Sequence, residues 1–373
     1  MKTAENLVSF EEFKNKTDRE ILTNIKESVD DCFKKPELKQ YKKARKLTNI
    51  FLGLSLGILF IGFFSFLVFM FLYTSEINNQ IRNALFGILI VLGLALTTFF
   101  ILYLVYKKIR NEKQIIVKSF LLDSLQSKKI YEKATKLLDK RWELITNKYI
   151  PVNERLSYNA NTRRFSKTEY INNRPDFIPS SAYILNTTPC QTVMVDGKYP
   201  VHFSNILWED IVKHVDTKGN VSYQKRHYNS TLMKVNASGL DIDKRASFSY
   251  FSQEFLGHKK VQLENKIFNK LFKVYSNDEL KMYMYFTPFV QENLIRLYKE
   301  FMRYTHINHL RFYANNDVII YSFMSPPEYM NIDIPNKFKN ETTVTNFIYN
   351  DVLKDFYSFY WLLALVYIPV YLY

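Results

Sequence analysis

The chain has 373 residues, of which 47% are hydrophobic, and its formal net charge is +15. This length is sufficient for a membrane module together with one or two packed domains. The two cysteines, Cys32 and Cys190, lie far apart in the sequence, which argues against a disulfide framework and is typical of a reducing compartment.

Residues 1–46 are predicted to form an amphipathic cytoplasmic arm. The series Ser9-Phe-Glu-Glu12 fits a capping box, in which a serine hydroxyl and a glutamate cap the start of a helix. Apolar side chains then recur at helical spacing, namely Ile21, Ile25, Val29 and Phe33. Pro36 interrupts this pattern before a basic segment begins.

Two uncharged segments, Ile50–Tyr73 and Ala84–Tyr106, predict a transmembrane helical hairpin within residues 47–106. As helices, each would reach about 35 Å, enough to cross a hydrocarbon core of about 30 Å with some tilt. Core helices of soluble proteins seldom lack charge over so many turns. The long polar stretch before the first segment argues against a cleaved signal peptide.

Flanking charge predicts the orientation of this hairpin. Basic residues precede the first segment (Lys39, Lys42, Lys43, Arg45, Lys46) and follow the second (Lys107, Lys108, Arg110, Lys113). The connector Thr74–Asn83 has one Glu and one Arg. Because basic residues concentrate on the non-translocated side, we expect a multi-pass plasma-membrane protein whose N-terminus and main soluble domain are cytoplasmic.

Two segments lead from the hairpin to the soluble domain. Residues 107–151 are predicted as a juxtamembrane helix that continues to about Tyr149 and is ended by Pro151. Residues 152–181 contain the polar runs NANTRR and NNRP and are interpreted as a linker or a long loop.

Residues 182–355 alternate between strand and helix patterns, which predicts a cytoplasmic α+β domain of antiparallel β-hairpins and packed helices. Helices are predicted at Pro288–Tyr304, whose apolar positions lie on one face, and from Glu341 to Val366. Hairpin turns are predicted at Asp196-Gly197, at Lys218-Gly219-Asn220 and at Asn315–Asp317. The regular βαβ alternation of a nucleotide-binding sheet is missing.

The uncharged, aromatic segment 356–373 is predicted as a C-terminal helix with three possible environments. It could be buried in the cytoplasmic domain, lie at the membrane interface, or span the membrane a third time. Its length of about 27 Å is marginal for a span, and Pro369 lies inside it. Its many aromatic side chains favour a packed core or the interface.

The series GLSLG, Gly53–Gly57, matches the G-x-S-x-G nucleophile elbow of hydrolases. That elbow needs a sharp strand-to-helix turn, which a transmembrane helix does not provide. The same residues form Gly-x-x-x-Gly, a pattern that allows close helix approach. We therefore predict helix packing here, against Gly87 and Gly93 of the second segment.

Candidate metal ligands are sparse. His306 and His309 offer two imidazoles, but a zinc site needs three or four ligands, so a surface or core polar pair is favoured. Asp241 and Asp243 are followed by Lys244 and Arg245, which favours a solvated turn. No catalytic, cofactor-binding or metal-ligating residue is predicted, and no cofactor is expected.

Motifs for phosphate or nucleic acid are also weak. The four glycines after the second apolar segment form neither G-x-x-x-x-G-K nor G-x-G-x-x-G, the two common phosphate-binding patterns. Arg163-Arg164 and Tyr223–Tyr228 mix basic and aromatic residues, as nucleic-acid surfaces do. In a lysine-rich chain such short clusters usually form solvated faces, so nucleic acid is not the expected partner.

The segment Val274–Pro288 places carboxylates beside tyrosines. Ser276-Asn-Asp-Glu279 fits a capping box, and Thr287-Pro288 fits a second helix start. Because nothing nearby completes a catalytic set, we interpret the carboxylates as helix caps and the tyrosines as packing residues.

The longer segment Val261–Leu294 resembles the bacterial domain-of-unknown-function 3137 family of two-helix membrane proteins. The resemblance lies in Leu263-Glu264, Phe268, Phe272, Val274-Tyr275-Ser276, Tyr285 and Phe286-Thr287-Pro288, with Gly197–Phe203 as a further match. Around Ser230 to Phe255 the chain departs from the family pattern. The family has no established activity, so the resemblance implies no catalytic residue, and it implies a LemA-type membrane partner.

These patterns predict a non-enzymatic scaffold or interaction module at the cytoplasmic membrane face. Its partners would be the lipid bilayer and either a membrane protein or a second copy of the chain. One alternative is a membrane-bound enzyme with a dispersed active site, which a convergent group of titratable residues would favour. The other is an anionic-lipid or nucleic-acid binding module.

Overall fold

The computed structural model describes residues 8–73, 79–145, 165–215, 217–251, 257–327 and 329–371. It divides into two compact units, each described by itself below. The first unit comprises the chain up to Ile25, Lys129–Asp333, and the chain from Asn346 onward. The second comprises Lys26–Lys128 and Ile334–Thr345.

The N-terminal arm forms two helices, α1 at Phe10–Glu20 and α2 at Leu22–Lys34. The hydroxyl of Ser9 accepts a hydrogen bond from the amide of Glu12 at 3.2 Å, which confirms the predicted helix start. The Glu12 carboxylate instead accepts a hydrogen bond from Lys16 Nζ at 2.6 Å. Only the serine half of the predicted capping box is therefore formed. Pro36 does not end the helical arm but begins the next helix, where its missing N–H costs nothing.

The second unit is built around two long helices, α3 at Pro36–Tyr73 and α4 at Asn79–Ser127. Both are long and apolar enough to cross a membrane, with peak mean hydropathies of 2.5 and 2.7. They contact each other through aromatic rings: Phe51 lies 6.2 Å from Phe99 and 5.4 Å from Tyr106 between ring centroids. Most of their apolar side chains are exposed on the protein surface.

The predicted close helix approach at the glycines is wrong for these two helices. A Cβ atom placed on Gly53, Gly57, Gly87 or Gly93 would meet no heavy atom within 4 Å. The two helices therefore pack through larger side chains such as Phe51. Ser55, the serine of the G-x-S-x-G match, donates its hydroxyl to the carbonyl of Phe51 at 2.8 Å within its own helix.

The helix predicted to continue to about Tyr149 ends at Ser127, because Lys129 adopts a left-handed backbone conformation with φ of 53°. A separate helix, α5 at Ile130–Leu138, and a short strand, β1 at Glu143–Ile145, follow. Pro151, Arg163, Arg164 and the first part of the predicted linker, residues 152–164, lie outside the described residues. The linker boundaries therefore stay a prediction.

Ten strands of the described residues form one antiparallel sheet, which confirms the α+β class. Their order is β1-β3-β4-β5-β10-β9-β6-β8-β7, with β2 paired to β4. The remaining strands are β2 at Tyr183–Thr187, β3 at Gln191–Val195, β4 at Tyr199–Val215, β5 at Val221–Asn236, β6 at Ser247–Tyr250, β7 at Lys259–Lys260, β8 at Tyr275–Ser276, β9 at Asn308–Asn315 and β10 at Val318–Met324.

The three predicted hairpin turns are confirmed. Asp196 and Gly197 join β3 to β4 with φ of 51° and 67°, which is the pattern of a type I′ turn. Gly219 has φ of 81° between β4 and β5, and Asn316 has φ of 45° between β9 and β10. Asn, Asp and Gly tolerate these positive angles at low cost, which explains why the turns can be identified in the sequence.

One face of the sheet packs on the C-terminal helix, numbered α10 here, which extends over Glu341–Tyr371. Four more helices lie between α5 and α10 in the sequence: α6 at Lys167–Asn172, α7 at Lys266–Phe272, α8 at Glu279–Tyr285 and α9 at Pro288–Tyr304. Phe359 of α10 meets Phe203 of β4 at 5.9 Å, and Trp361 stacks on Phe301 of α9 at 3.7 Å. Of the three environments predicted for segment 356–373, the structure shows a packed core: residues 356–368 are buried in the sheet-containing unit.

The opposite face of the sheet is covered by residues that the sequence analysis assigned to the end of the linker. Ser166 and Glu169 form a complete capping box at the start of α6. Tyr170 of this helix and Ile178 pack with Trp208 and Leu232 of the sheet. The polar composition of this segment hides these two anchoring side chains, which is why it resembles a linker.

Candidate interaction surfaces

The segment Val274–Pro288, which carries the family resemblance, is a junction between secondary-structure elements. Asp278, not Ser276, caps α8 by accepting a hydrogen bond from the amide of Lys281 at 3.0 Å. Ser276 belongs to β8 and donates its hydroxyl to the carbonyl of Ser247 at 2.7 Å. Thr287 caps α9 as predicted, with Pro288 in its first turn. The carboxylates therefore act as helix-start groups, although the predicted cap was misplaced by two residues.

The tyrosines of the same segment divide between core and surface. Tyr285 is buried and donates its hydroxyl to the carbonyl of Asp243 at 3.1 Å. Tyr283 is exposed, and its hydroxyl donates to Glu279 at 2.9 Å. The packing prediction is therefore correct for Tyr285 and wrong for Tyr283, whose ring is exposed and whose hydroxyl also lies 3.1 Å from the carbonyl of Gln262.

The other candidate ligands do not converge on a metal. Among the described residues, no group of three or more His, Cys, Asp or Glu side chains could hold a metal ion. Asp241 and Asp243 lie in an exposed turn around Ile242–Lys244. His309 is exposed with φ of 50°, and its ring centroid lies 5.0 Å from that of Phe177.

His306 belongs to a titratable cluster that the sequence analysis did not identify. Its Nε2 lies 3.0 Å from Oδ1 of the buried Asp355. The other oxygen of Asp355 accepts from the hydroxyl of Tyr131 at 3.0 Å and from the amide of Met330 at 2.8 Å. Asp351, one helical turn earlier, accepts from the amide of Asp333 at 3.1 Å.

Burial sets the protonation of this cluster. Desolvation, followed by the charge of Asp355, raises the pKa of Asp351 to about 8, and burial raises the pKa of Asp355 well above its usual range. Burial also lowers the pKa of His306 to about 4. A protonated Asp355 beside a neutral His306 carries no net charge, although Nε2 and Oδ1, which lie 3.0 Å apart, do not have hydrogen-bond geometry.

Helices α7 and α9 form the walls of an open groove with a volume of about 880 Å³. Two basic residues one turn apart on each helix line it: Lys266 and Lys270 on α7, and Lys299 and Arg303 on α9. Between them lie the apolar side chains of Ile267, Leu271 and Met302. Ile267 and Met302 are each 60% exposed, so the apolar part of the groove is accessible.

Within the described part of the chain, no carboxylate neutralises the positive charge of this groove. None of its four cationic side chains forms an ion pair with a described carboxylate. The one acidic lining residue, Glu300, accepts a hydrogen bond from the hydroxyl of Tyr357 on α10. Its carboxylate is therefore engaged by the core helix, and the groove combines apolar surface with uncompensated positive charge.

A second exposed feature is the distal part of the β4–β5 hairpin. The neighbouring strands stop early, since β2 pairs with β4 only as far as Glu209 and β10 pairs with β5 only as far as Ser230. Beyond these residues, Ile211–Val215 and Val221–Lys225 pair only with each other. We call this two-stranded segment, residues 211–225, the β-ribbon.

Glu209 forms a polar junction at the base of the β-ribbon. It accepts hydrogen bonds from the hydroxyl of Tyr183, from Lys225 Nζ at 3.0 Å and from His227 Nε2 at 2.9 Å. These hydrogen bonds, the one from Tyr183 first, lower the pKa of Glu209 to about 2. The ionised carboxylate links β2, β4 and β5 at the point where the sheet narrows to two strands.

These observations first define a class: an α+β protein with two long apolar helices and a sheet packed on a buried C-terminal helix. A family described as "Protein of unknown function (DUF3137)" has a sequence model that matches residues 220–364. The chain is similar to this family over that region, which agrees with the resemblance found in the sequence. No curated protein and no solved structure matches the chain.

The family match includes both helices of the groove and the His306–Asp355 cluster, but only one strand of the β-ribbon. The groove has a signal in the sequence, because Lys266 with Lys270 and Lys299 with Arg303 are each spaced by one helical turn. Nothing in the sequence indicates that these two pairs face one another. The cluster also has a signal, since Asp351 and Asp355 are acids in a largely apolar helix.

Proposed function

We propose that the chain is a membrane-anchored, non-enzymatic interaction protein whose soluble unit binds an acidic, amphipathic helix of a protein partner. The two long apolar helices would form a transmembrane hairpin, with the soluble unit on the cytoplasmic side as flanking charge predicts. The observation that carries the proposal is the groove between α7 and α9, where four cations that pair with no described carboxylate line an apolar floor.

The groove favours an amphipathic helix for two reasons. Helix-binding grooves take apolar side chains spaced by one turn, and Ile267, Leu271 and Met302 provide a continuous apolar surface for them. The cations at both walls would pair with acidic residues on the flanks of that helix. A second copy of the same wall would bring like charges together, which disfavours self-association through this surface.

The test is site-specific photo-crosslinking in cells with a photoreactive amino acid at Met302, followed by mass spectrometry. We expect the crosslink to map to an acidic segment of one protein and to disappear in the variant Lys270→Glu/Arg303→Glu. A matched control places the probe at Leu280, which is 73% exposed on α8 and outside the groove. Adducts with lipid or nucleic acid alone, or a crosslink that survives charge reversal, would contradict the proposal.

A second candidate function, a membrane-bound enzyme, is favoured by one observation: the cluster of His306, Asp351 and Asp355. A carboxyl with a raised pKa beside an imidazole with a lowered one is a pattern found at acid–base sites. Asp355, however, is fully buried, and it accepts hydrogen bonds from Tyr131 and from the amide of Met330. These contacts are typical of a side chain that stabilises the fold.

The two candidates can be separated by complementation of a strain that lacks the chain. If the cluster performs chemistry, Asp351→Asn abolishes complementation while the Met302 crosslink persists. If the groove performs the function, Lys270→Glu/Arg303→Glu abolishes it and Asp351→Asn leaves it intact. Folding of each variant is checked by near-ultraviolet circular dichroism.

A further inference from the structure

The β-ribbon carries an apolar stripe that no described part of the chain covers. Strand register places Ile211, Lys213 and Val215 opposite Lys225, Tyr223 and Val221, so these six side chains share one face. The four uncharged members, Ile211, Val215, Val221 and Tyr223, are between 48% and 68% exposed. Val215 and Val221 therefore lie nearest the turn. Lys213 and Tyr223 form the next pair, and Ile211 and Lys225 the pair nearest the sheet.

This exposure is costly unless something covers the stripe. A two-stranded ribbon is marginally stable in water on its own, and exposed apolar surface on a hairpin favours association. The Glu209 junction holds the base of the β-ribbon in the sheet, so the segment projects as a formed hairpin. Five residues per strand extend it by about 17 Å, which is longer than the headgroup region of one leaflet, about 5–8 Å deep.

We propose that the β-ribbon binds an anionic lipid surface, with Val215, Val221 and Tyr223 inserted at the headgroup level. Charge favours this occupant, because Lys213 lies on the same face as the stripe and residues 211–225 contain three lysines and one aspartate. In a second copy of the chain, Lys213 and Lys225 would meet the same lysines. Aliphatic tips backed by tyrosine and lysine are typical of residues at a membrane interface.

This inference is independent of the groove, because no residue of the groove belongs to the β-ribbon. The β-ribbon would also contact the bilayer in a different way from the two long apolar helices. The helices would anchor the chain in any bilayer, whereas the β-ribbon would respond to the lipid headgroup charge. Binding would thus depend on membrane composition and on ionic strength.

The experiment uses the full chain in lipid nanodiscs, with an environment-sensitive fluorophore on Thr217→Cys at the turn. Cys190→Ser removes the accessible thiol, and Cys32 stays unlabelled because burial raises the pKa of its thiol to about 11. Nanodiscs of phosphatidylcholine are compared with nanodiscs that contain phosphatidylglycerol. Vesicles of the same two compositions are also added to phosphatidylcholine nanodiscs, so that binding to the same or to a facing bilayer is detected.

We expect a blue shift with phosphatidylglycerol that salt reverses. In Ile211→Thr/Val215→Thr/Val221→Thr/Tyr223→Thr the shift should be lost, because threonine keeps the strand but removes the apolar stripe. Lys213→Gln/Lys218→Gln should weaken binding about tenfold. The matched control Val212→Thr/Gln224→Thr changes the opposite face of the ribbon and should retain the shift.

Three outcomes would overturn the inference. The fluorophore could ignore phosphatidylglycerol in both formats, or the shift could survive the loss of the stripe. A shift that depends on protein concentration and not on lipid charge would identify a second copy as the occupant.

Discussion

The apolar half of α3 and the C-terminal half of α10 have nearly the same composition and opposite environments. Both are long, uncharged and rich in aromatic side chains. In α3, Phe60, Phe63 and Phe64 are more than half exposed on the protein surface, whereas residues 356–368 of α10 are all buried in the sheet-containing unit. Apolar composition alone therefore does not determine which solvent a helix requires.

Specific polar contacts separate the two helices. The core helix α10 brings Asp355 to Tyr131 and Tyr360 to the amide of Val8, at 3.0 Å each. In the apolar half of α3, Ser55 bonds within its own helix. A helix whose side chains form hydrogen bonds with neighbouring elements is held in a protein core. A helix whose polar side chains form hydrogen bonds only with its own backbone is suited to a lipid environment.

The most direct way to break this comparison is hydrophobic photolabelling of the full chain in membranes. A membrane-soluble carbene reagent should label Ile50–Phe71 and Ala84–Tyr106, because their side chains face outward. It should leave residues 356–368 at background, because protein surrounds them. Peptide mass spectrometry measures both, and strong labelling of the C-terminal helix would show that it contacts lipid.

The largest stability difference is expected between Trp361→Ala in α10 and Phe60→Ala in α3. Trp361 is buried and stacks on Phe301 at 3.7 Å, so its removal leaves a cavity and should cost about 3–5 kcal/mol of unfolding free energy. Phe60 is 64% exposed, and its truncation should change the stability of the sheet-containing unit by less than about 0.5 kcal/mol. Urea denaturation of the full chain, followed by near-ultraviolet circular dichroism, tests the difference. Equal losses would contradict it.

A smaller effect should follow from the carboxyls that distinguish α10. The raised pKa of Asp351, about 8, means that the folded state holds a proton that the unfolded state releases above its ordinary value of 3.8. Its stabilising contribution is complete below that value and is lost as the pH rises toward 8. His306 acts in the opposite sense, because its pKa is lowered to about 4 and the unfolded state gains a proton below 6.5.

Of Asp351 and His306, only Asp351 changes the stability with pH between pH 6.5 and 8. Stability should fall with rising pH by about 1 kcal/mol per unit. Asp351→Asn should make this dependence less steep, leaving the part that comes from Asp355, and should raise the stability at pH 8, because the amide carries no charge to desolvate. Denaturation midpoints at pH 6.5 and 8 measure it, with Asp176→Asn on the exposed loop as the control. A wild-type midpoint that rises with pH would show that Asp351 ionises freely in the fold.

The smallest effect is expected at two serines in equivalent positions. Ser358 of α10 and Ser55 of α3 each donate to the carbonyl four residues earlier, at 2.5 Å and 2.8 Å. Because each hydroxyl is satisfied within its own helix, alanine should cost at most about 0.5–1 kcal/mol in either place. A loss of several kcal/mol in Ser358→Ala, measured by the same denaturation, would mean that α10 depends on an interhelical contact of this hydroxyl.

Sequence reasoning succeeded where the signal was local. The turns at Asp196-Gly197 and Asn315–Asp317 depend on backbone angles that few residues tolerate, and the start of α9 at Thr287-Pro288 depends on a cap within one turn. It failed where the determining partner is distant in sequence. Neither the His306–Asp355 contact nor the pairing of Lys270 with Arg303 in one groove has a local signature, since each requires the sheet to bring helices together.

The hydrogen bond between Val8 and Tyr360 joins residues that are 352 positions apart. Phe10 of α1 also stacks on Tyr304 at 4.0 Å and meets Tyr357 at 5.2 Å, so the start of the chain is held by elements made near its end. Because this loop is so long, these contacts form only after Tyr360 has left the ribosome. Until then the sheet lacks its core helix, and the nascent chain exposes apolar surface that a chaperone could bind.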